Sequence, residues 1–302
     1  MSIIERALGA ARRTAEARNA KAGGPAPALD AASRGNAAES VAPRPRAPHS
    51  QIKLDLDRLR SAGALPPVDF ERQLTEQYRK IKRPLVDYAF PEGQQGPVSR
   101  NLIVVTSSFP AEGKTFTSLN LAISLSMEKD ATVLLVDADI ANPRLSGLFG
   151  QQQSRGMFDA LADESLDVES LVVDTSIPGL SFLSTGALRE SSAELLASSR
   201  MSQMMMDLIA NEPRRLIVLD SPPLLLTNES RELVSLAGQI VLVVHAGVTP
   251  QESVKEAVSL LPDGKNVGVV LNQVDPSSAD VSYYGYGRYG AYSTDSGARN
   301  EA

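Results

Sequence analysis

Asn101-Leu-Ile-Val-Val-Thr-Ser-Ser-Phe-Pro-Ala-Glu-Gly-Lys-Thr115 is the stretch on which the fold turns. Leu102 to Thr106 form an apolar, β-branched run with the composition of a buried strand. The polar loop after it closes on Gly113-Lys114-Thr115, and Leu119, Ala122, Ile123, Ser126 and Met127 then follow at helical spacing. A strand, a glycine-bearing loop and a helix in that order form a phosphate-binding loop. Its backbone N–H groups and the helix N-terminus face phosphate oxygens, the Lys114 ammonium reaches the β- and γ-phosphates, and the Thr115 hydroxyl ligates Mg²⁺. The usual pattern opens on glycine; here Ser108 holds that position.

Around this stretch, apolar strands alternate with amphipathic helices. Strands are predicted at 101–107, 132–137, 180–184, 215–220, 239–245 and 267–271, and helices near 114–128, 156–162, 191–210, 228–237 and 250–261. Such alternation predicts an α/β fold, a doubly wound and mostly parallel sheet with its ligand at the strand C-terminal ends. Two of those ends carry acids: Val133-Leu-Leu-Val-Asp137-Ala-Asp139 and Leu216-Ile-Val-Leu-Asp220-Ser-Pro-Pro223. Either aspartate alone is compatible with a capped turn. A carboxylate at the ligand edge of a strand can also hold Mg²⁺ or its waters beside a γ-phosphate, and three strand-end motifs together favour a Mg–nucleotide site.

The length of 302 residues allows one large domain or two small ones, and the 42% hydrophobic content suffices for a core. Without cysteine there are no disulfides or thiolate metal sites, which suits a reducing cytosol. The two histidines, His49 and His245, stand in no metal-ligand pattern. No apolar run approaches the roughly 18 residues of a membrane span, and no signal-peptide core is present, so a soluble chain is expected. Residues 1–50 hold eight basic against four acidic side chains, leaving 22 basic against 32 acidic in the rest. An acidic body argues against nucleic acid as a partner.

Three parts are expected: 1–50, a short N-terminal helix plus linker; 51–275, the folded body; and 276–302, a flexible tail. Ile4, Leu8, Ala11 and Ala15 give the first helix only a weak apolar face, which favours a mostly disordered N-terminus over a membrane-surface helix. Gly23 to Ser50 is Ala/Pro/Gly/Ser-rich and reads as a linker. Order returns with Ile52, Leu54, Leu56 and Leu59. A helix should start with Asp69 as N-cap and end near Arg83 before Pro84, with Phe70, Leu74, Tyr78 and Ile81 packed on the body. Glu76, Arg79 and Lys82 spread over its other face, which by spacing reads as solvated surface with pairs such as Glu76–Lys80. In the tail, five of the seven tyrosines (Tyr283, Tyr284, Tyr286, Tyr289 and Tyr292) alternate with Gly285, Gly287 and Gly290, a density of glycine foreign to a core.

Ser107, Pro110, Glu112, Gly113, Lys114 and Thr115, then Asp137 and Asp139, then Asp220 and Pro223, then the tyrosine cluster, together form a pattern. It resembles the bacterial tyrosine kinases of exopolysaccharide synthesis, and in particular the autokinases found with exosortase systems. Leu183-Ser-Thr-Gly186, Ala193-Glu-Leu-Leu196 and Leu271-Asn272 extend the resemblance over roughly 50–292. It implies a MinD-like P-loop NTPase core and an ATP- and Mg²⁺-dependent autokinase whose phosphoacceptors are Tyr283 to Tyr292. The implied catalytic residues are Lys114, Asp137, Asp139 and Asp220, with Asp137 orienting the tyrosine hydroxyl. Ser108, Pro110, Ala111, Glu112, Gly113, Lys114, Thr115, Phe116 and Asn272 are expected to bind the nucleotide, and Thr115, Asp139 and Asp220 the metal.

The same resemblance turns Glu76, Arg79 and Lys82 into a self-association surface for an oligomer such as a ring, with lysine in place of the family's second arginine. It also implies a separate membrane-embedded chain-length determinant protein as activator and a cognate phosphotyrosine phosphatase. A cytoplasmic, stand-alone chain, peripheral at the inner membrane through its activator, is the matching expectation. Partitioning and cell-division-site ATPases carry a second lysine early in the loop, where this chain has Phe109. A nucleotide-binding scaffold without phosphotransfer would not need the intact Lys114, Asp137, Asp139 and Asp220.

Overall fold

The structure, a computed structural model, describes residues 50–92, 97–188 and 192–275. The expected N-terminal helix, nearly all of the linker and the tail tyrosines Tyr283 to Tyr292 lie outside the described residues. Eight strands form one sheet: β1 (Gln51–Ile52), β2 (Leu102–Ser107), β3 (Thr132–Asp137), β4 (Val173–Thr175), β5 (Leu180–Leu183), β6 (Arg215–Asp220), β7 (Gln239–His245) and β8 (Asn266–Asn272). Their spatial order is β1-β4-β5-β3-β6-β2-β7-β8, and every pairing is parallel except β4 with β5.

The strands read as continuous apolar runs because both sheet faces are covered. On one face Ile103, Val105, Val133, Leu135, Val218 and Val241 pack against α1 (Leu56–Ser61), α2 (Val68–Ala89), α3 (Lys114–Ser126) and α4 (Arg144–Leu148). On the other, Leu102, Val104, Leu134, Val136, Leu219 and Leu242 meet α5 (Met157–Ala162), α6 (Ser192–Leu196), α7 (Ser199–Asn211), α8 (Asn228–Leu236) and α9 (Gln251–Ser259). Each such side chain contributes about 1.5–3 kcal/mol on burial, which anchors the strand ends where the polar loops begin. Among the described residues no helix is long and apolar enough to cross a membrane.

The helix before the sheet core departs from expectation in four ways. It begins at Val68 after Pro67, with no side-chain cap, so Asp69 lies inside its first turn. It also runs through Pro84 to Ala89. Tertiary burial of Leu85 and Ala89 on the core outweighs the loss of one helical hydrogen bond at the proline. Phe70 is 56% exposed, not packed.

Fourth, Lys82 turns inward and is only 9% exposed. Its ammonium donates to the Ser124 carbonyl at 2.6 Å and pairs with Glu128 at 2.8 Å. A cation at the C-terminal turn of α3 meets carbonyls that have no partner within the helix. Glu76 and Arg79 remain outside and pair with each other at 2.6 Å. Further along, the helix expected at 191–210 is two helices, α6 and α7, broken where Ser198 caps α7.

Candidate active site

Because β2, β3, β6, β7 and β8 run parallel, their C-terminal ends share one edge of the sheet. The register brings the motifs together there: Asp137 is the direct neighbour of Asp220, Val105 is paired with Asp220, and His245 with Asn272. Beside this edge lies a cleft of about 510 Å³. Pro110, Ala111, Gly113, Lys114, Thr115, Phe116, Asp139 and Asn272 line it, together with Arg144 and Gln273.

The loop from Ser108 to Gly113 is held open by ties to its neighbours. Asn272 Nδ2 donates to the Glu112 carbonyl and Gln273 Nε2 to the Ala111 carbonyl, both at 2.9 Å. In a trans peptide the C=O and the following N–H point in opposite directions. Fixing these two carbonyls towards β8 therefore turns the N–H groups of Glu112 and Gly113 the other way. Among the described residues, the N–H groups of Ala111 and of Gly113 to Thr115 meet no acceptor, so these amides at the start of α3 are free for an anion. Ala111 and Gly113 take φ of 63° and 93°, the left-handed geometry of an anion-binding loop. Glycine is required at 113 because a Cβ there would fall 1.9 Å from Asn272 Nδ2.

The acids are held by residues the sequence pattern did not single out. Ser146, in α4, donates both its N–H (2.7 Å) and its hydroxyl (2.8 Å) to Asp137 Oδ2. Ser118, one turn into α3, donates to Asp220 Oδ1 at 2.9 Å. The remaining oxygens, Asp137 Oδ1 and Asp220 Oδ2, are buried and without a hydrogen-bond partner. Burial raises Asp137 to about 6, against the pull of the Ser146 hydrogen bonds. Asp220 rises to about 7 through burial and then the Asp137 charge, with Thr115, Lys114 and Ser118 pulling the other way. Asp139 is raised as well, by burial, and the Lys114 ammonium opposes that rise.

Two adjacent buried carboxylates, each with an orphaned oxygen, need a positive partner beyond Lys114. Together with the Thr115 hydroxyl, this oxygen-rich donor set fits a hard divalent cation such as Mg²⁺. Among the described residues no cluster of three or more His, Cys, Asp or Glu could hold a metal by itself. Such a cation would therefore share its coordination with the phosphate ligand and water.

The structure brings the predicted nucleotide and metal residues to one edge of the sheet, although Asp137 and Asp220 are fully buried and do not line the cleft. Ser108 and Glu112 are buried and their side chains do not line the cleft. Glu112 instead accepts the Phe109 N–H at 2.8 Å. Asn272 contributes its side chain to the loop carbonyl, as described above. Ser146, Ser118, Gln273 and Arg144 are among the residues that sequence reasoning did not assign to the site. Arg144 Nη2 donates to the Ala62 carbonyl at 2.8 Å, tying the turn before α2 to the cleft wall. Only the serine and threonine enrichment of the α3 sequence hinted at polar partners on the buried side.

No protein-family model matches the chain. It is 35% identical over 196 residues to the EpsB protein of Ralstonia nicotianae, a match covering 64% of this chain and 25% of that one. The chain therefore spans about a quarter of the length of the first curated relatives it matches. Tyrosine-protein kinase YwqD of Bacillus subtilis is 29% identical over 214 residues, covering 70% of this chain and 86% of the relative. Among solved structures, the kinase domain of the Escherichia coli tyrosine kinase ETK superposes with a TM-score of 0.59 at 26% identity, covering 68% of this chain and 77% of that one.

Proposed function

We propose that the chain is a bacterial tyrosine kinase, an ATP-dependent autokinase that phosphorylates its own C-terminal tyrosines, a reading supported by its similarity to the tyrosine-protein kinases above. The observation that carries this reading is the pairing of Asp137 with Asp220 across β3 and β6, each with a free buried oxygen, beside a loop of free amides and Lys114. The amides of Ala111 and of Gly113 to Thr115 and the Lys114 ammonium bind the phosphate chain and offset the charge that shifts onto the leaving oxygens. Thr115, Asp139 and Asp220 would hold Mg²⁺, which when bound neutralises charge on the β- and γ-phosphoryl oxygens. Asp137, raised only to about 6, is mostly ionised at neutral pH. In this reading its Oδ1, buried and without a hydrogen-bond partner, orients a tyrosine hydroxyl, whose own pKa is near 10, and takes its proton. Ser146 keeps the other oxygen fixed.

The acceptors in this reading are Tyr283, Tyr284, Tyr286, Tyr289 and Tyr292, delivered to the site of a neighbouring copy. Glu76 and Arg79, exposed on α2, are the proposed contact between copies, in a ring or other homo-oligomer. Each phosphotyrosine adds about −1.5 to −2 charges, so a phosphorylated tail is repelled by the acidic body and opens the oligomer. Regulation of exopolysaccharide chain length and export, a membrane-embedded activator protein and a phosphatase complete the proposal. In it the chain is cytoplasmic and reaches the inner membrane through that activator. The exosortase-associated subtype rests on the motif resemblance.

Transfer between copies is tested by mixing two variants with Mg-ATP. One ends at Asp275 and keeps its site; the other is full length and carries Lys114→Met. Phosphotyrosine on the full-length Lys114→Met chain is the expected result. Its absence, with ATP still hydrolysed by the shortened chain, would favour a partitioning-type ATPase.

A further inference from the structure

Thr249 lies outside every motif of the sequence, in the turn between β7 and α9. Its hydroxyl accepts the His245 N–H at 3.2 Å and donates to Glu112 Oε1 in the phosphate loop. These two partners fix the polarity of the contact. A backbone N–H can only donate, so the hydroxyl accepts from His245 and its one proton points at Glu112. The other carboxylate oxygen of Glu112 accepts the Phe109 N–H at 2.8 Å, closing the first half of the loop on itself. Glu112 is nearly buried, and these are the bonds that satisfy its carboxylate among the described residues.

We propose that Thr249 is a positioning residue for the phosphate loop, acting through Glu112 to keep the free amides of Ala111 and of Gly113 to Thr115 aimed into the cleft. A carboxylate beside an anion-binding loop would repel phosphate if it faced the cleft. Held by Thr249 and the Phe109 N–H, it is turned away from the cleft and locks the loop instead. Without the threonine hydroxyl, Glu112 loses one of its two partners at a buried position. The cheapest relief is for its side chain to swing out towards water or the cleft, and the loop then opens. The Asn272 and Gln273 ties act on the carbonyls of Glu112 itself and of its neighbour Ala111. The loop after β7 and the end of β8 therefore hold the loop jointly.

The inference rests on the nucleotide site and not on the kinase reading, so the test reads nucleotide binding and phosphotransfer separately. Full-length Thr249→Val, Thr249→Ser and the parent are titrated with a fluorescent ADP analogue in the presence of Mg²⁺, melted without nucleotide, and assayed for KM and kcat. The hydrogen bond at stake ends on a nearly buried carboxyl group. Its loss predicts binding by Thr249→Val that is weaker by on the order of tenfold or more, with KM for ATP rising in step and the melting temperature little changed. Thr249→Ser, which keeps the hydroxyl, should bind as the parent does. Parental binding by Thr249→Val would overturn the proposal. So would equal loss in the serine variant, since that assigns the effect to the β-methyl group. Should the parent transfer no phosphate to tyrosine while Thr249→Val still loses nucleotide, the kinase reading fails and the positioning role stands.

Discussion

Replacing Gly113 with alanine probes the geometry of the phosphate loop most directly. The residue sits at φ 93°, where an L side chain costs about 1–2 kcal/mol. Its new Cβ would also lie 1.9 Å from Asn272 Nδ2, so the amide must leave and its 2.9 Å bond to the Glu112 carbonyl is lost. That bond contributes about 0.5–1.5 kcal/mol and sets the direction of the Gly113 N–H. Together the two effects amount to about 1.5–3.5 kcal/mol, on the order of 10- to 400-fold in nucleotide affinity. Isothermal titration with ADP and Mg²⁺ measures it, and a double-mutant cycle with Asn272→Ala separates the parts. Because Gly113→Ala already breaks the Asn272 bond, adding Asn272→Ala should cost nothing more. Strict additivity of the two losses, or parental affinity in Gly113→Ala, would refute the reasoning.

Two further outcomes follow from the buried charges. Asp137 and Asp220 titrate above the ordinary carboxylate range, so between about pH 4 and 7 the folded chain holds protons that the unfolded chain has released. Stability without metal should therefore fall as pH rises through that window, by up to about 1.4 kcal/mol per pH unit for each such proton. Urea unfolding of the parent and Asp220→Asn at several pH values checks this: the variant should show a shallower slope, and equal slopes would count against the buried pair. Lys82→Ala should lower stability by about 1–3 kcal/mol because it strips a charged donor from the end of α3, whereas Arg79→Ala, losing an exposed pair, should change it by less than about 1 kcal/mol. Thermal melts separate the two, and sedimentation of Arg79→Ala tests the proposed contact between copies, which should weaken.

What could be read from the sequence was whatever local pattern encodes. The apolar run of β2, the loop and the periodicity of α3 are contiguous, and so are the strands ending in Asp137 and Asp220. Parallel pairing then brings those ends together without any further information. Residues whose role depends on distant partners were not legible in this way. Lys82 has a charged residue's spacing on a helix surface, yet Ser124 and Glu128, far along the chain, draw it inward. Pro84 carries a local stop signal that the packing of Leu85 and Ala89 overrides. Ser146 and Ser118 look like ordinary helix serines until the fold sets them against Asp137 and Asp220. The short β1 and β4 offer two and three residues of pattern, too few for a period of two to declare itself.

The most direct test of phosphotransfer from this site to the chain's own tyrosines is intact-mass and peptide mass spectrometry of the full-length protein after incubation with Mg-ATP, beside Lys114→Met. A ladder of added phosphates mapping to Tyr283, Tyr284, Tyr286, Tyr289 and Tyr292, and missing from the Lys114→Met chain, is the expected result. ATP turned over with no phosphotyrosine anywhere in the chain, even when a membrane activator is supplied, would contradict it.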